Sequence, residues 1–159
     1  MLVRPIRPDD KAGLAAGLGE LSEQSVQRRF LSPKPSFSAA ELRYLTEVDG
    51  HDHVAFVAET VDGPRPRMVA VGRWVRLVAD PSTAEVAIVV ADPLQRLGLG
   101  SVLADVLATE AVRQDVRRFS ATMLHDNVAA HRLMTRLDRH LARRRAGSGA
   151  EELVVDLAA

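Results

Sequence analysis

Cysteine is absent from this chain, and so are an excess of either charge and any long apolar run. Without cysteine there is no disulfide, no thiolate-bound zinc and no cysteine nucleophile. The 21 basic and 21 acidic side chains cancel, which argues against a general binder of nucleic acid. The longest apolar run, 86–91, is far shorter than the ~20 residues that span a bilayer. Because the first residues also lack the apolar segment of a signal peptide, we expect a cytoplasmic protein that does not enter a membrane.

The composition fits one folded domain. Apolar residues make up 47% of the 159 residues, which is too high a share for a disordered chain. A chain of this length hides roughly 68–70% of its unfolded surface on folding, so it can build a hydrophobic core without disulfides or bound metal ions. The sequence shows no internal repeat and no linker. We therefore predict a single domain over residues 1–159.

Apolar periodicity predicts a mixed α/β sheet with helices around it. Alternating or continuous apolar residues predict strands at 2–7, 54–60, 68–78, 84–91, 118–124 and 152–157. Helical spacing and capping residues predict a helix carrying Leu14 and Leu18, and helices from Ser22 to near Phe30, from Ser38, over 98–114 and over 126–145. Strands 54–60 and 68–78 are predicted to form an antiparallel hairpin. Strand 84–91, helix 98–114 and strand 118–124 are predicted to form one parallel β-α-β unit.

A glycine-bearing turn joins the fourth predicted strand to the helix after it. It consists of Gln95, Arg96, Leu97, Gly98, Leu99, Gly100 and Ser101. Glycine lets the backbone turn tightly and approach a ligand closely, and the first N–H groups of a helix attract an anion. The turn lacks the Gly-Lys-Ser/Thr of a P-loop and the third glycine of the dinucleotide fingerprint. From the residues alone, a phosphate site and a plain strand-to-helix turn are equally good interpretations.

The spacing of Gln95, Gly98 and Gly100 resembles the donor-binding turn of the GNAT-type N-acetyltransferases. Two further segments resemble that family, namely the opening 4–10 and the run that begins with Asn127 and continues with Ala130 and Leu133. The resemblance extends along nearly the whole chain. It implies the GNAT fold, an N-acetyltransferase, and acetyl-CoA as the acyl donor.

The same resemblance implies which residues hold the donor. In that family the amides of the turn hold the pyrophosphate, and backbone groups of the preceding strand hold the pantetheine. The positions so implied here are Val89, Val90, Ala91, Gln95, Arg96, Leu97, Gly98, Leu99, Gly100, Ser101 and Asn127.

A narrower likeness concerns the acceptor. The segments 21–25 (Leu-Ser-x-x-Ser) and Arg29-Phe30 resemble a block of the bacterial protein-lysine acetyltransferases that modify acyl-CoA synthetases. That likeness implies Glu85, ten residues before Gln95, as the general base. It also implies a protein lysine as acceptor, with a small amine as the next choice. Many relatives are dimers, so a homodimer is expected.

Glu85 is also a sensible base on physical grounds. An amine must lose a proton to attack a thioester, and a carboxylate on a mostly apolar strand is expected to be partly desolvated, which would make it a stronger base. Strand alternation places Glu85 on the face of Ala87 and Val89, where small side chains leave room for a substrate. The alternative interpretation is a half-solvated carboxylate that pairs with one of the many arginines.

Two departures from the family pattern favour a second function. Met134 stands where many members have a tyrosine that protonates the coenzyme thiolate, and methionine cannot donate that proton. Asp138-Arg139 stands where the family has Gly-Phe. The alternative is therefore an acyl-CoA-binding module with weak or absent turnover that serves as a sensor or partner subunit.

Other polar clusters favour ordinary structural roles. His51, Asp52 and His53 lack an evident further ligand, so no metal site is predicted. The basic run 143–145 is interpreted as the solvated end of the last helix, where cations suit the dipole. At zero net charge this run does not indicate nucleic-acid binding.

Overall fold

The computed structural model describes residues 1–137 and 141–157. Its seven strands are β1 (Leu2–Pro5), β2 (His53–Thr60), β3 (Arg67–Arg76), β4 (Thr83–Val90), β5 (Arg118–Leu124), β6 (Leu141–Gly147) and β7 (Ala150–Asp156). Its α-helices are α1 (Lys11–Glu20), α2 (Glu23–Phe30), α3 (Ala39–Thr46), α4 (Leu99–Arg113) and α5 (Val128–Leu137). Short 3-10 turns precede α1 and follow β4.

The strands form one mixed sheet in the order β1-β2-β3-β4-β5-β7-β6. All neighbouring strands are antiparallel except β4 and β5, which run parallel and are joined by α4. The predicted hairpin and the predicted parallel β-α-β unit are therefore confirmed. The parallel ladder is short, because only Thr83–Glu85 pair with Arg118–Ser120. Beyond Glu85 the two strands separate and open a cleft.

The sheet has a heavily packed face and a lighter one. The heavily packed face lies against α4 and α5, and its fully buried side chains include Trp74, Leu107, Phe119 and Leu153. On the lighter face, Ile6, Ala55 and Val57 form a smaller cluster. Helices α1 and α2 pack against β3, β4 and β5. None of the helices within the described residues is long and apolar enough to cross a bilayer.

Gly72 shows how tightly α4 packs on the sheet. A Cβ built at Gly72 would lie 2.8 Å from Leu107 Cδ1 and 3.2 Å from Ile88 Cγ1. Because that space is filled, we expect Gly72→Ala to lower the free energy of unfolding by about 1–3 kcal/mol. Urea unfolding at pH 7 measures the change.

A second glycine supplies the matched control. A Cβ at Gly63 meets only the Arg65 carbonyl oxygen, at an ordinary 3.8 Å. Gly63→Ala is therefore expected to leave the stability unchanged or slightly raised. Equal destabilisation by both substitutions would contradict the packing explanation.

The prediction of one helix over 126–145 is wrong in its second half. Helix α5 ends at Leu137, and Leu141–Gly147 form the edge strand β6, which pairs with β7. A hairpin turn follows in which Gly147, Ser148 and Gly149 all have positive φ. Pairing with β7 therefore overrides the helical preference of this Ala- and Arg-rich segment. The basic run 143–145 lies in this strand and not at a helix end. The Asp138-Arg139 departure lies outside the described residues.

Candidate active site

The cleft between β4 and β5 is a cavity of about 820 Å³. Its walls are β4, the turn after β4, β5 and the first turns of α5, with α2 along one side. Of the predicted donor-binding residues, those that line the cavity are Val89, Val90, Gln95, Arg96, Gly98, Gly100, Ser101 and Asn127. Ala91, which directly follows β4, and Leu97 and Leu99 of the turn do not line the cavity, and Leu97 is 72% exposed. Most of the residues predicted from the sequence thus lie along one continuous wall of the cavity.

The turn ends in a backbone conformation that suits glycine. Gly98 is the N-cap residue of α4 and has a φ of +87°, and Arg96 also has a positive φ of 65°. The first turn of the 15-residue α4 contains no acidic residue, and Gly98 offers no side chain to cap it. Helix N-terminal N–H groups without an intrahelical partner bind anions well. The arrangement therefore favours the phosphate-site interpretation over the plain turn.

A polar network that the sequence did not predict ties this turn to α2. Gln95 Nε2 donates to the Val90 carbonyl oxygen and to Ser25 Oγ, at 3.0 Å in each case. Ser25 Oγ donates to Asp92 Oδ1 at 2.8 Å, and Ser22 donates to the same carboxylate through its Oγ and its backbone N. These hydrogen bonds, that from the Ser22 hydroxyl foremost, lower the pKa of Asp92. The turn and the start of α2 are consequently fixed to each other.

Glu85 lies in the last pair of the parallel ladder, where β4 and β5 part, and it is not among the residues that line the cavity. It stands opposite Val75 of β3 and Ser120 of β5, and the register places it on the same face as Ala87 and Val89, as predicted. Its side chain is exposed, so the expected partial desolvation is wrong. In the part of the chain that the structure describes, no cation lies within ion-pair distance of Glu85, so the alternative of a salt-bridged carboxylate is not observed either. The carboxylate is free to meet a ligand.

Comparison with known proteins agrees with this geometry. Residues 21–138 match the model of the acetyltransferase (GNAT) family. The chain belongs to the acetyltransferase (GNAT) family. Its predicted family and fold are thereby confirmed.

Individual relatives make the comparison more specific. The chain is 38% identical over 135 residues to "Acetyltransferase Pat" of Mycolicibacterium smegmatis, a match covering 85% of this chain and 40% of Pat. The solved GNAT domain of S. lividans PAT superposes with a TM-score of 0.84 at 30% identity, over 98% of this chain and 89% of that one. A Salmonella typhimurium acetyltransferase solved with its cofactor acetyl-CoA shares the fold, with a TM-score of 0.75 at 15% identity over 98% and 92% of the chains. The chain thus spans about 40% of the length of Pat.

In this GNAT domain, Asn127 lines the cavity and also stabilises the start of α5. Its Oδ1 accepts a hydrogen bond from the Ala130 backbone N at 3.2 Å, and its own backbone N donates to the Leu124 carbonyl oxygen. Asn127 therefore fixes the first turn of the helix that forms one cavity wall. Met134, two turns further on, is 3% exposed and also lines the cavity. A packed thioether, and not a hydroxyl, occupies that position.

The cavity of the GNAT domain is strongly basic. Its described lining contains one acidic residue, Asp126, and five arginines: Arg28, Arg29, Arg96, Arg132 and Arg136. Arg136 Nη2 forms an ion pair with Oδ2 of Asp105, on α4, at a distance of 2.7 Å. Since the whole chain is neutral, this concentration of positive charge is local. It suits a ligand that carries several phosphates.

A buried Arg–His pair lies on the face of the sheet that carries Glu85. Arg73 of β3 is 5% exposed, and its Nη1 lies 2.9 Å from both the Leu45 carbonyl oxygen and His53 Nε2. The Tyr44 ring packs on the His53 ring at a centroid distance of 4.9 Å. Burial and the nearby charge of Arg29 lower the pKa of Arg73 to about 10. Burial, with the charge of Arg73, lowers the pKa of His53 to about 4.

This pair was missed in the sequence, where His53 was considered only with His51 and Asp52. In the structure these three residues have different hydrogen-bond partners, although His51 Nε2 still lies 3.8 Å from Asp52 Oδ1. His51 Nδ1 lies 2.8 Å from Gln114 Oε1, Asp52 pairs with Arg76, and His53 faces Arg73. Over the described ranges, no group of three potential ligands is placed to hold a metal ion. The available signal was Arg73 itself, a cation on an otherwise apolar face of a strand.

The lowered pKa of His53 predicts a pH-dependent stability. Between pH 6.5 and about 4 the unfolded chain binds a proton at His53 that the folded chain does not. The unfolded state therefore binds more protons, and stability falls as pH falls through this window. After allowance for solvent screening, we expect a loss of about 1 kcal/mol between pH 7 and pH 5 that is specific to His53.

Urea unfolding of the wild type and His53→Gln at both pH values measures this effect. Glutamine can still accept a hydrogen bond from Arg73 but does not titrate. The variant is therefore expected to lose less stability than the wild type on acidification. Identical losses in the two proteins would contradict the assignment.

Proposed function

We propose that this GNAT domain transfers the acetyl group of acetyl-CoA to a primary amine, foremost a lysine of a protein. The observation that carries the proposal is the cleft itself. It opens where β4 and β5 part, with the N-terminus of α4 at one end and the free carboxylate of Glu85 at the other.

The donor end fits a phosphate-bearing thioester. The amides at the start of α4, together with Arg96, are placed to hold the pyrophosphate. Beyond Glu85, the backbone groups of β4 that point toward β5 have no strand partner, and near Val90, whose carbonyl oxygen already accepts from Gln95, they are available to the amide groups of a pantetheine arm. Bound in this way, acetyl-CoA supplies an activated acyl carbon.

At the other end, Glu85 acts as the general base. It accepts a proton from the acceptor ammonium, directly or through one water, so that the amine nitrogen can attack. The nitrogen forms a bond to the acyl carbon and releases a second proton to solvent, and the bond between that carbon and the coenzyme sulfur breaks. Because Met134 cannot donate a proton, solvent supplies it to the departing thiolate. No covalent enzyme intermediate is required, in keeping with a chain that has no cysteine.

The relatives support the acetyltransferase activity, and the lysine acceptor follows from the likeness of segments 21–25 and 29–30 to the protein-lysine acetyltransferases. Both Pat and the S. lividans PAT domain are similar along most of this chain. A small amine is the second acceptor class, and the homodimer and the cytoplasmic location stay predictions.

A non-catalytic acyl-CoA-binding module is the alternative function, and Met134 is the observation that favours it. A protein of that kind would hold the donor in the same cleft and transfer nothing. The two functions share every residue of the donor end and differ only in what happens at Glu85.

Two measurements, made one after the other, test the proposal. Calorimetry with acetyl-CoA is expected to give micromolar affinity, about 8 kcal/mol. A thiol reagent then reports coenzyme release when lysine peptides or small amines are added, free of background because the protein has no cysteine. Binding with release of thiol supports the transferase, binding without release under any amine supports the module, and no binding removes both.

A further inference from the structure

The wall formed by α2 carries positive charge that the donor end does not account for. Arg28 and Arg29 lie near the end of α2 and line the cavity. Neither forms an ion pair with any carboxylate in residues 1–137 or 141–157. By contrast, Arg136 across the cavity is neutralised by Asp105. Removing an arginine partly from water without a neighbouring anion costs free energy. The binding of an anion there is therefore favourable.

Helix α2 leads from the donor end toward Glu85. Ser25, in its first turn, is bonded to Gln95 and Asp92 of the phosphate-binding turn. Arg29 lies four residues later, about 6 Å further along the helix axis. Helix α2 packs on β4 and β5, and on β4 the negative charge of Glu85 opposes the lowering of the Arg29 pKa by burial. Arg29 therefore belongs to the acceptor end of the cleft.

Contacts on both sides hold Arg29 in place. Its guanidinium lies over the Phe30 ring, 4.8 Å from the centroid, and Phe30 in turn packs edge-on against Phe37. On the sheet side, the charge of Arg29 acts on buried Arg73, which is fixed by Leu45 and His53. A guanidinium held on a rigid support is suited to recognise a carboxylate with two parallel hydrogen bonds.

The sum of charges at this end is positive. Arg29 and Arg73 carry one positive charge each, His53 is neutral at pH 7, and Glu85 is the one negative charge that acts on Arg29. Arg28 adds a further positive charge on the same wall. An acceptor that is purely cationic is repelled here, whereas one that carries an anionic group beside its amine is attracted.

We infer that Arg29, supported by Arg73, selects acceptors that carry a carboxylate close to the primary amine. This inference rests on the proposed function. Two sources supply that chemistry: a lysine with aspartate or glutamate as a neighbour in a peptide, or the α-carboxylate of a free amino acid.

The test compares acceptors that differ only in charge. Three peptides contain one lysine flanked by glutamates, by glutamines or by arginines, and free amino acids form a fourth arm. The kcat/KM for thiol release is measured for the wild type, Arg29→Gln, Arg29→Lys and Arg29→Glu. The wild type is expected to favour the glutamate peptide over the glutamine peptide by about 10-fold, the size of one charged hydrogen bond. Arg29→Gln should lose this preference, Arg29→Lys should keep only part of it because the charge remains without the two parallel hydrogen bonds, and Arg29→Glu should favour the arginine peptide.

A reversal of preference cannot arise from damage to the fold, because damage lowers the rates with all peptides together. Arg43→Glu, on the exposed surface of α3 and outside the cavity lining, is the matched control for the change in net charge. It is expected to keep the wild-type order of peptides. The same order in the wild type and Arg29→Glu, or no preference in the wild type, overturns the inference. A preference for free amino acids over every peptide assigns the carboxylate to the acceptor's own backbone.

A binding arm separates this inference from the proposed function. If no acceptor is acetylated although acetyl-CoA binds, the transferase proposal fails. Calorimetry of the three peptides against the complex with CoA then still ranks them. Tighter binding of the glutamate peptide that depends on Arg29 upholds the anion site, and equal affinities overturn it.

Discussion

Glu85→Gln is expected to lower kcat for acetyl transfer by roughly 10²- to 10⁴-fold, the usual contribution of a general base. Glutamine keeps the size of the side chain and can still form a hydrogen bond, but it cannot take a proton from the acceptor ammonium. Because Glu85 lies where the two strands part and does not line the cavity, the affinity for acetyl-CoA should stay within about 2-fold of the wild type. Initial rates of thiol release and calorimetry measure the two quantities.

The control for this substitution is a second exposed glutamate. Glu20 pairs with Arg67 at the surface, away from the cleft, and Glu20→Gln is expected to keep full activity. If Glu85→Gln retained more than about a third of the wild-type rate, another group or bulk solvent would have to remove the proton. Equal losses of donor affinity and rate would instead mean that Glu85 acts through the structure of the cleft.

Gly98→Glu is expected to weaken acetyl-CoA binding by about 100-fold or more, or some 3 kcal/mol. Two effects act together. The φ of +87° at Gly98 disfavours any residue with a Cβ, and the new carboxylate would stand at the N-terminus of α4, where the donor phosphates are proposed to bind. Calorimetric titration with acetyl-CoA gives the dissociation constant directly.

Gly98→Asn separates the two effects. Asparagine tolerates a positive φ better than most residues and carries no charge, and a Cβ at this position meets no atom within 4 Å. We expect it to bind acetyl-CoA within about 10-fold of the wild type. If both variants lost the same affinity, backbone geometry and not charge would govern the turn. If neither lost affinity, the start of α4 would not be the phosphate site.

Most of the fold could be predicted because its signals are local. The strands at β2 to β5 and β7 have apolar patterns, and the caps at Ser22 and Ser38 each accept the backbone N–H predicted for a helix start. The β6 strand could not be predicted in this way. It exists because β7 offers it a pairing edge, and nothing in the Ala- and Arg-rich segment 141–146 favours a strand by itself.

The candidate site likewise has one part that the sequence predicts and another part that it does not. The glycine turn and Glu85 lie within one β-α-β unit, so spacing along the chain was enough to place them. The link from Asp92 to Ser22 and Ser25 and the approach of Arg29 to Glu85 depend on where α2 packs, and these pairs are 56 to 70 residues apart in sequence. The exposure of Glu85 was mispredicted for a related reason. Membership of an apolar strand does not bury a side chain when the neighbouring strand departs at that residue.

The short ladder between β4 and β5 also bears on how this protein avoids association. Past Glu85, both strands present unpaired backbone groups, which on an outer strand would invite another chain to add to the sheet and begin aggregation. Here that edge is enclosed by α2, α4 and α5. The protein thus keeps an incomplete sheet in its interior, where three helices shield the unpaired edge from the strands of other chains.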